Sequence, residues 1–275
     1  MSDHMILRNN ADATRINYVR GVRELMLSLQ QLPEECDVHQ IKAFLVQLRD
    51  KGQLSSSSIN LRVCGLKYYF RHVVHRLDLV VGIPNPRIAK YSTEVLDAAE
   101  MQRLFSVCRD MRQLLIVQLL FDTGIRSREL LRLELKDFNK SNRTITINNS
   151  KGRKMRVVPY GLYIRNTLYA YIKMLGYMPQ GTLIESYKYK GQQLSISGLQ
   201  NIIREVAKRS KIKKRIHCHC LRHTYAVHYL NNGGRIPQLQ RLLGHSNITT
   251  TLHYLKYAHQ VQSNIPTPLD CLMHS

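Results

Sequence analysis

The stretch IHCHCLRH, residues 216–223, sets two cysteines and an arginine among three histidines. Two chemistries use such residue types. A zinc site wants four ligands that converge tetrahedrally, usually as pairs spaced about two to five residues apart. His217, Cys218, His219 and Cys220 are consecutive, so their side chains diverge whichever backbone form they take. No second Cys/His pair follows at a suitable spacing, and no metal is expected here. The other chemistry is phosphate recognition. His219 and Arg222 stand three apart, which puts them on one face of a helix. A guanidinium fork matches the oxygens of a phosphate, and an imidazole can also move a proton.

Three further stretches keep company with this one. TGIRSREL, 123–130, has Arg126 just after a helix break and Glu129 three residues on. SKGRKMR, 150–156, has Lys151 in an expected hairpin turn beside Gly152. LLGHSNITTTLHYLKY, 242–257, has His245 followed nine residues later by Tyr254. In this order, the four pieces resemble the tyrosine recombinase (phage integrase) family. That family carries T-G-x-R-x-x-E-L, a β-hairpin Lys, H-x-L-R-H, and L-G-H followed nine residues later by a Tyr. The resemblance spans about residues 90–260.

The resemblance implies DNA strand exchange through a covalent phosphotyrosine, and the residue types suit that chemistry. The transition state of phosphoryl transfer gathers negative charge on non-bridging oxygens, where fixed cations lower the barrier. By resemblance, Arg126 and Arg222 supply that clamp, and His245 hydrogen-bonds a non-bridging oxygen. Tyr254 is the implied nucleophile; a phenol with a pKa near 10 needs a cationic pocket and a proton acceptor. His219 is the candidate acceptor, or orients the phosphate. Lys151 is the candidate general acid for the departing 5′ oxygen, a proton that an Arg would not give up. Glu129 is expected to brace the site against a basic neighbour. Tyr257, one turn beyond Tyr254, and His223, next to Arg222, are read as structural. Cys218 and Cys220 are read as filler around His219.

The elements that must position these groups follow from periodicity. Ile16, Val19, Val22, Leu25, Met26 and Leu29 give an apolar face to a helix from Asp12 to Gln31, which Pro33 ends. Asp37 caps a second, with Ile41, Phe44, Leu45 and Leu48 inward. The serines at 55–58 start a third. There Ile59, Val63, Leu66, Tyr69, Phe70 and Val73 alternate with Arg62, Lys67 and Arg71, giving an apolar side and a basic side expected to meet DNA. GIPNPRIAKYST, 82–93, reads as a linker. DAAE, 97–100, reads as a capping box. A helix over 110–122 breaks at Thr123-Gly124. RTITIN, 143–148, and KMRVVP, 154–159, read as paired strands. Helices follow near 161–174, 197–209, 220–231 and 235–243, with Gly244 closing the last and one more from Ile248 to Tyr257.

The predicted fold is mainly α with a small antiparallel β-sheet. The resemblance makes it a two-domain DNA clamp: a helical core-binding domain over 1–85, a linker over 86–92, a tyrosine recombinase catalytic domain over 93–262, and a C-terminal tail over 263–275.

Charge agrees with a DNA partner. The chain of 275 residues has 41 Lys+Arg against 19 Asp+Glu, a net +22 spread along its length. The opening residues hold no apolar signal core, and no run of about 18 apolar residues spans a bilayer. Six scattered cysteines are unlike a disulfide framework. The expectation is a reduced, cytoplasmic, prokaryotic protein on the nucleoid, with no membrane and no cofactor; no G-x-x-x-x-G-K-[ST] is present. The partner is double-stranded DNA carrying a recombination site. The resemblance adds a homotetramer on two duplexes and a site-specific recombinase that integrates, excises, inverts or transposes DNA. The competing functions are relaxation by a type IB topoisomerase, a non-catalytic DNA-binding protein on the same fold, and a metal-dependent transposase with three placed carboxylates.

Overall fold

Two compact units divide the chain, Met1–Tyr91 and Ser92–Ser275, in a computed structural model that describes residues 1–50, 54–86, 94–148, 155–189 and 191–258. The expected linker and tail fall largely or wholly outside the described residues, as does Lys151.

The first unit is helical: α1 (Ser2–Leu7), α2 (Asp12–Leu29), α3 (Val38–Asp50), α4 (Ser56–His72) and α5 (Leu77–Gly82). Asp37 and Gln40 exchange side-chain bonds with each other's backbone N–H before α3, and the Ser55 hydroxyl accepts from Ser58 N–H before α4. α2 ends at Leu29, with Gln30 left-handed at φ 53°, so Pro33 opens a 3₁₀ turn rather than stopping the helix. Val22, Leu25, Ile41, Phe44, Ile59, Val63, Leu66 and Phe70 form the core. Each such side chain contributes about 1.5–3 kcal/mol when removed from water. Ile16 and Met26, expected inward, are exposed.

The basic side of α4 needs correction. Arg62 is only 5 % exposed and holds Glu24 through Nε (2.6 Å) and Nη2 (3.0 Å). It sits three residues after Ile59 and four before Leu66, on the apolar face, and its charge is consumed inside the unit. Lys67 is half-buried and bonded to Asn85 at 2.8 Å; Arg71 is exposed.

The second unit surrounds α7 (Met111–Thr123), with Leu115, Ile116, Val117, Leu119 and Leu120 all fully buried. A helix apolar on every side belongs in a core. α6 (Ala98–Ser106) precedes it, opened by the Asp97–Glu100 capping box. α8 (Ser127–Leu130) follows it after Gly124. A three-stranded antiparallel sheet comes next: β1 (Phe138–Asn139), β2 (Thr144–Ile147) and β3 (Arg156–Pro159), in that order. Ile145 pairs with Val158 and Ile147 with Arg156. With period two, Val158 and Arg156 share the buried face of β3. A buried arginine demands a partner, which the site supplies.

α9 (Leu162–Leu175), α10 (Ile196–Ser210), α11 (Cys218–Asn231), α12 (Ile236–Leu243) and α13 (Thr249–Leu252) complete the unit. The helix expected from Ile248 to Tyr257 is a single α turn that tightens into a 3₁₀ turn over His253–Lys256. No helix among the described residues is long and apolar enough to cross a membrane.

Candidate active site

Three chain turns converge on one cleft. The first follows α7, where Gly124 is left-handed at φ 60° and Arg126 becomes the N-cap of α8. The second is the first turn of α11, carrying His219 and Arg222. The third follows α12, where Gly244 is left-handed at φ 63° and leads into His245. The cleft measures about 440 Å³, and its walls include Arg126, His219, Arg222, His223, His245 and Tyr254.

Arg222 is the hub. It is 1 % exposed, and its guanidinium donates to Gly124 O at 2.5 Å through Nη1 and to Leu243 O at 2.7 Å through Nη2. Its Nε–H has no partner among the described residues. Burial first, and the Arg126 charge second, bring its pKa down to about 10, so it stays charged at neutral pH.

Arg222 Nη2 also lies 3.0 Å from His245 Nε2. A guanidinium only donates, so Nε2 accepts and the proton of neutral His245 sits on Nδ1, which reaches Thr251 Oγ1 at 2.9 Å. Burial, then Arg222 and Arg126, lower His245 to about 4, consistent with that neutral form. Both ring nitrogens of His245, the residue expected to hydrogen-bond a non-bridging oxygen, are therefore engaged within the protein.

Arg126 is braced by Glu129, as expected: its N–H donates to Oε2 at 2.8 Å and Nη1 to Oε1 at 3.0 Å. Its Nη2 donates to Gly244 O at 3.2 Å, joining the first turn to the third. Sequence reasoning missed the second partner of Glu129. Arg156 donates to both Glu129 oxygens and, through Nε, to Leu242 O at 2.7 Å. The signal was the parity of Arg156 with Val158 on a strand. Burial pushes the Glu129 carboxyl up, but the Arg156 hydrogen bonds, the Arg126 N–H and the two guanidinium charges outweigh it and hold it at about 2. Two arginines thus hold one carboxylate, and with Arg222 beside them the site carries excess positive charge.

His219 lies on the cleft wall with its pKa lowered by burial, then by Arg222. Its ring meets that of His223 edge-on at 4.2 Å. The imidazole hydrogen-bonded to Tyr254 is His223, not His219: Nδ1 lies 3.0 Å from the Tyr254 Oη. His223, expected to be structural, is thus in direct contact with Tyr254. Burial, then His219, His217, Arg222 and His253, lower His223 to about 3. Tyr254 itself is 2 % exposed, its ring nearly parallel to His245 at 6.3 Å. Burial raises its phenol, opposed by the Arg222 and Arg126 charges. Tyr257 stands against His253, outside the residues that border the cleft.

The remaining members of IHCHCLRH are structural. His217 caps α11, its Nδ1 accepting from Cys220 N–H at 3.0 Å. Cys218 and Cys220 are buried in the core, and Cys220 Sγ contacts Glu94 O at 3.4 Å. Among the described residues no group of three or more His, Cys, Asp or Glu is placed to hold a metal ion. Lys151 falls between β2 and β3 in sequence, outside the described residues, while β3 is anchored to the site by Arg156.

Residues 94–260 match the phage integrase family, and residues 1–77 match the phage integrase N-terminal SAM-like domain. A tyrosine recombinase of Pseudothermotoga lettingae is 33 % identical over 273 residues, covering 94 % of this chain and 93 % of its own. The tyrosine recombinase XerC of Bacillus subtilis is 28 % identical over 280 residues, covering 94 % and 90 %. In fold, the chain is similar to a lambda integrase dimer bound to a COC′ core site, with a TM-score of 0.78, 20 % identity and coverage of 97 % and 96 %. The chain belongs to the phage integrase family of tyrosine recombinases, enzymes that cut and rejoin DNA at specific sites.

Proposed function

We propose that Tyr254 attacks a DNA phosphodiester and forms a covalent 3′-phosphotyrosine, with Arg126 and Arg222 clamping the non-bridging oxygens. One observation carries this reading: Tyr254 and Arg222 border the same cleft, and the buried Arg222 Nε–H has no hydrogen-bond partner among the described residues. A buried charged donor left open in this way favours an anion. The carbonyls of Gly124 and Leu243 fix the guanidinium before DNA arrives, so little reorganisation is needed as charge develops. His245 accepts from Arg222 through Nε2; in the tautomer or protonation state that carries the proton on Nε2, it donates to a phosphate oxygen instead. His219 completes the phosphate contacts. Lys151 protonates the 5′ oxygen as the P–O5′ bond breaks. One phosphodiester replaces another, so religation needs neither nucleotide nor metal.

Exchange of both strands between two duplexes cuts four phosphodiesters. Each covalent link occupies one Tyr254, which favours a homotetramer on two duplexes. The recombination site lies on double-stranded DNA in a prokaryotic cytoplasm, and the net charge of +22 suits phosphate contacts that dominate affinity.

A nicked suicide duplex tests the reading. Wild-type protein should accumulate a covalent adduct without added metal. Tyr254→Phe should bind the duplex and form none, since only one hydroxyl is lost. An adduct formed by Tyr254→Phe but not by Tyr257→Phe would move the nucleophile to Tyr257. Tight binding without any wild-type adduct would leave only a DNA-binding protein.

A further inference from the structure

We propose that His223 takes the proton of Tyr254 as its oxygen attacks phosphorus, and returns it on religation, leaving His219 to the phosphate. The inference rests on Tyr254 being the nucleophile. A buried phenol cannot hand its proton to bulk water, and Tyr254 is 2 % exposed. The acceptor must therefore be a neighbour with a free lone pair. Glu129 has both oxygens occupied by Arg126 and Arg156. His245 has both nitrogens occupied by Arg222 and Thr251. His223 has Nδ1 at 3.0 Å from the Tyr254 Oη, within the range for direct proton transfer. Its ring is held from the other side by His219, edge-on at 4.2 Å.

The step balances. The Tyr254 O–H bond breaks and its proton goes to His223 Nδ1. The Oη–P bond forms, the P–O5′ bond breaks, and the 5′ oxygen takes a proton from Lys151. Religation runs the same transfers backwards and restores both groups.

The surroundings make this transfer conditional on DNA. On α11 and its cap, His223 faces His217, His219 and Arg222; from the turn after α13 it faces His253 and Tyr254. Burial and these neighbours keep it neutral in the free protein, with a pKa of about 3. An imidazolium beside them is unfavourable until a phosphate brings negative charge between Arg126 and Arg222. The same phosphate that is to be attacked thus turns His223 into a competent base, and the tyrosine stays inert without it.

The test compares wild type with His223→Asn, whose amide sits near the Nδ1 position and cannot titrate. His223→Gln is the second variant should His223→Asn melt early. Adduct formation is followed in single turnover on the nicked duplex, with DNA affinity measured alongside. The expected result is a rate lower by about 10²-fold or more at unchanged DNA affinity. The measurement is repeated with 3-fluorotyrosine at 254, a more acidic phenol that needs its base less. The gap between wild type and variant should then narrow. A variant that reacts at the wild-type rate overturns the proposal, as does a gap of the same size with fluorotyrosine, because a purely positional role is blind to phenol acidity. Absence of adduct from wild-type protein would instead overturn the reading of Tyr254, not that of His223 alone.

Discussion

Glu129 and Arg156 face each other in a doubly bonded pair, Nη1 to Oε1 at 2.9 Å and Nη2 to Oε2 at 2.6 Å, with both side chains 7 % exposed. The pair ties β3, the strand that follows Lys151 in sequence, to the carboxylate that braces Arg126. It also sets a pH dependence. Glu129 titrates near 2 in the folded protein against an ordinary 4.5, so the unfolded chain binds its proton first as pH falls. The contribution, about 3 kcal/mol, is complete above pH 4.5 and is lost on descending towards pH 2. Arg156→Leu leaves the buried Glu129 carboxylate with Arg126 alone as its charged partner and should cost roughly 1–3 kcal/mol at pH 7. Urea titrations at pH 7 and pH 3.5 check this. The difference between variant and wild type should shrink at the lower pH; equal differences would mean that Arg156 acts by packing alone.

Gly124 should tolerate no side chain. It is left-handed at φ 60°, and a Cβ there would lie 2.3 Å from Tyr225 Cδ1 and 2.9 Å from Leu243 Cδ2. Its carbonyl also holds Arg222. Gly124→Ala should therefore lose the backbone cost of about 1–2 kcal/mol plus an overpacking cost of similar size. Adduct formation should fall as Arg222 shifts. Gly176→Ala is the control: its φ is 73°, but its Cβ would meet nothing within 4 Å, so it should pay only the backbone cost. Equal losses of stability at both positions would show that crowding against Tyr225 is not the cause.

The helices and the two main strands were legible because each rests on local spacing, and Gly124 and Gly244 were legible as breaks for the same reason. The grouping of Arg126, His219, Arg222, His245 and Tyr254 came instead from the resemblance of four motifs to the tyrosine recombinase family. Arg62 and Arg156 were misread or passed over although their register carried the answer. Arg62 keeps step with Ile59 and Leu66, and Arg156 shares the parity of Val158. A charge at an inward position signals a buried partner, not a solvent face. The His223–Tyr254 contact had no local signal. The two residues are 31 apart, and only the return of the chain after α12 brings them together. Elements as short as α1 and β1 carry too few residues for a period to show.

The salt dependence of DNA binding should separate Arg62 from Arg71. Each phosphate contact contributes a slope of about −0.9 in log K against log salt on duplex DNA. Arg71 is exposed, and Arg71→Ala should flatten the slope by about that amount. Arg62 is spent on Glu24, so Arg62→Ala should leave the slope alone and cost roughly 1–3 kcal/mol of stability. Filter-binding over a salt series and thermal melting read the two effects independently. A flattened slope for Arg62→Ala with unchanged stability would return Arg62 to the DNA-facing side.

Lys151 can be assigned by changing the leaving group. An acid is needed because an alkoxide at the 5′ position leaves poorly, whereas a thiolate leaves unprotonated. Lys151→Ala should cleave ordinary DNA about 10²–10⁴-fold more slowly than wild type. On a duplex with bridging 5′ sulfur at the scissile position, the same variant should approach the wild-type rate. Arg156→Leu offers a contrast, because Arg156 ties β3 to the Glu129 carboxylate that braces Arg126. Its defect should persist on the sulfur substrate, since the phosphate clamp is disturbed along with the acid. Equal defects of Lys151→Ala on both substrates would make Lys151 a phosphate or base contact and leave the 5′ oxygen to another donor.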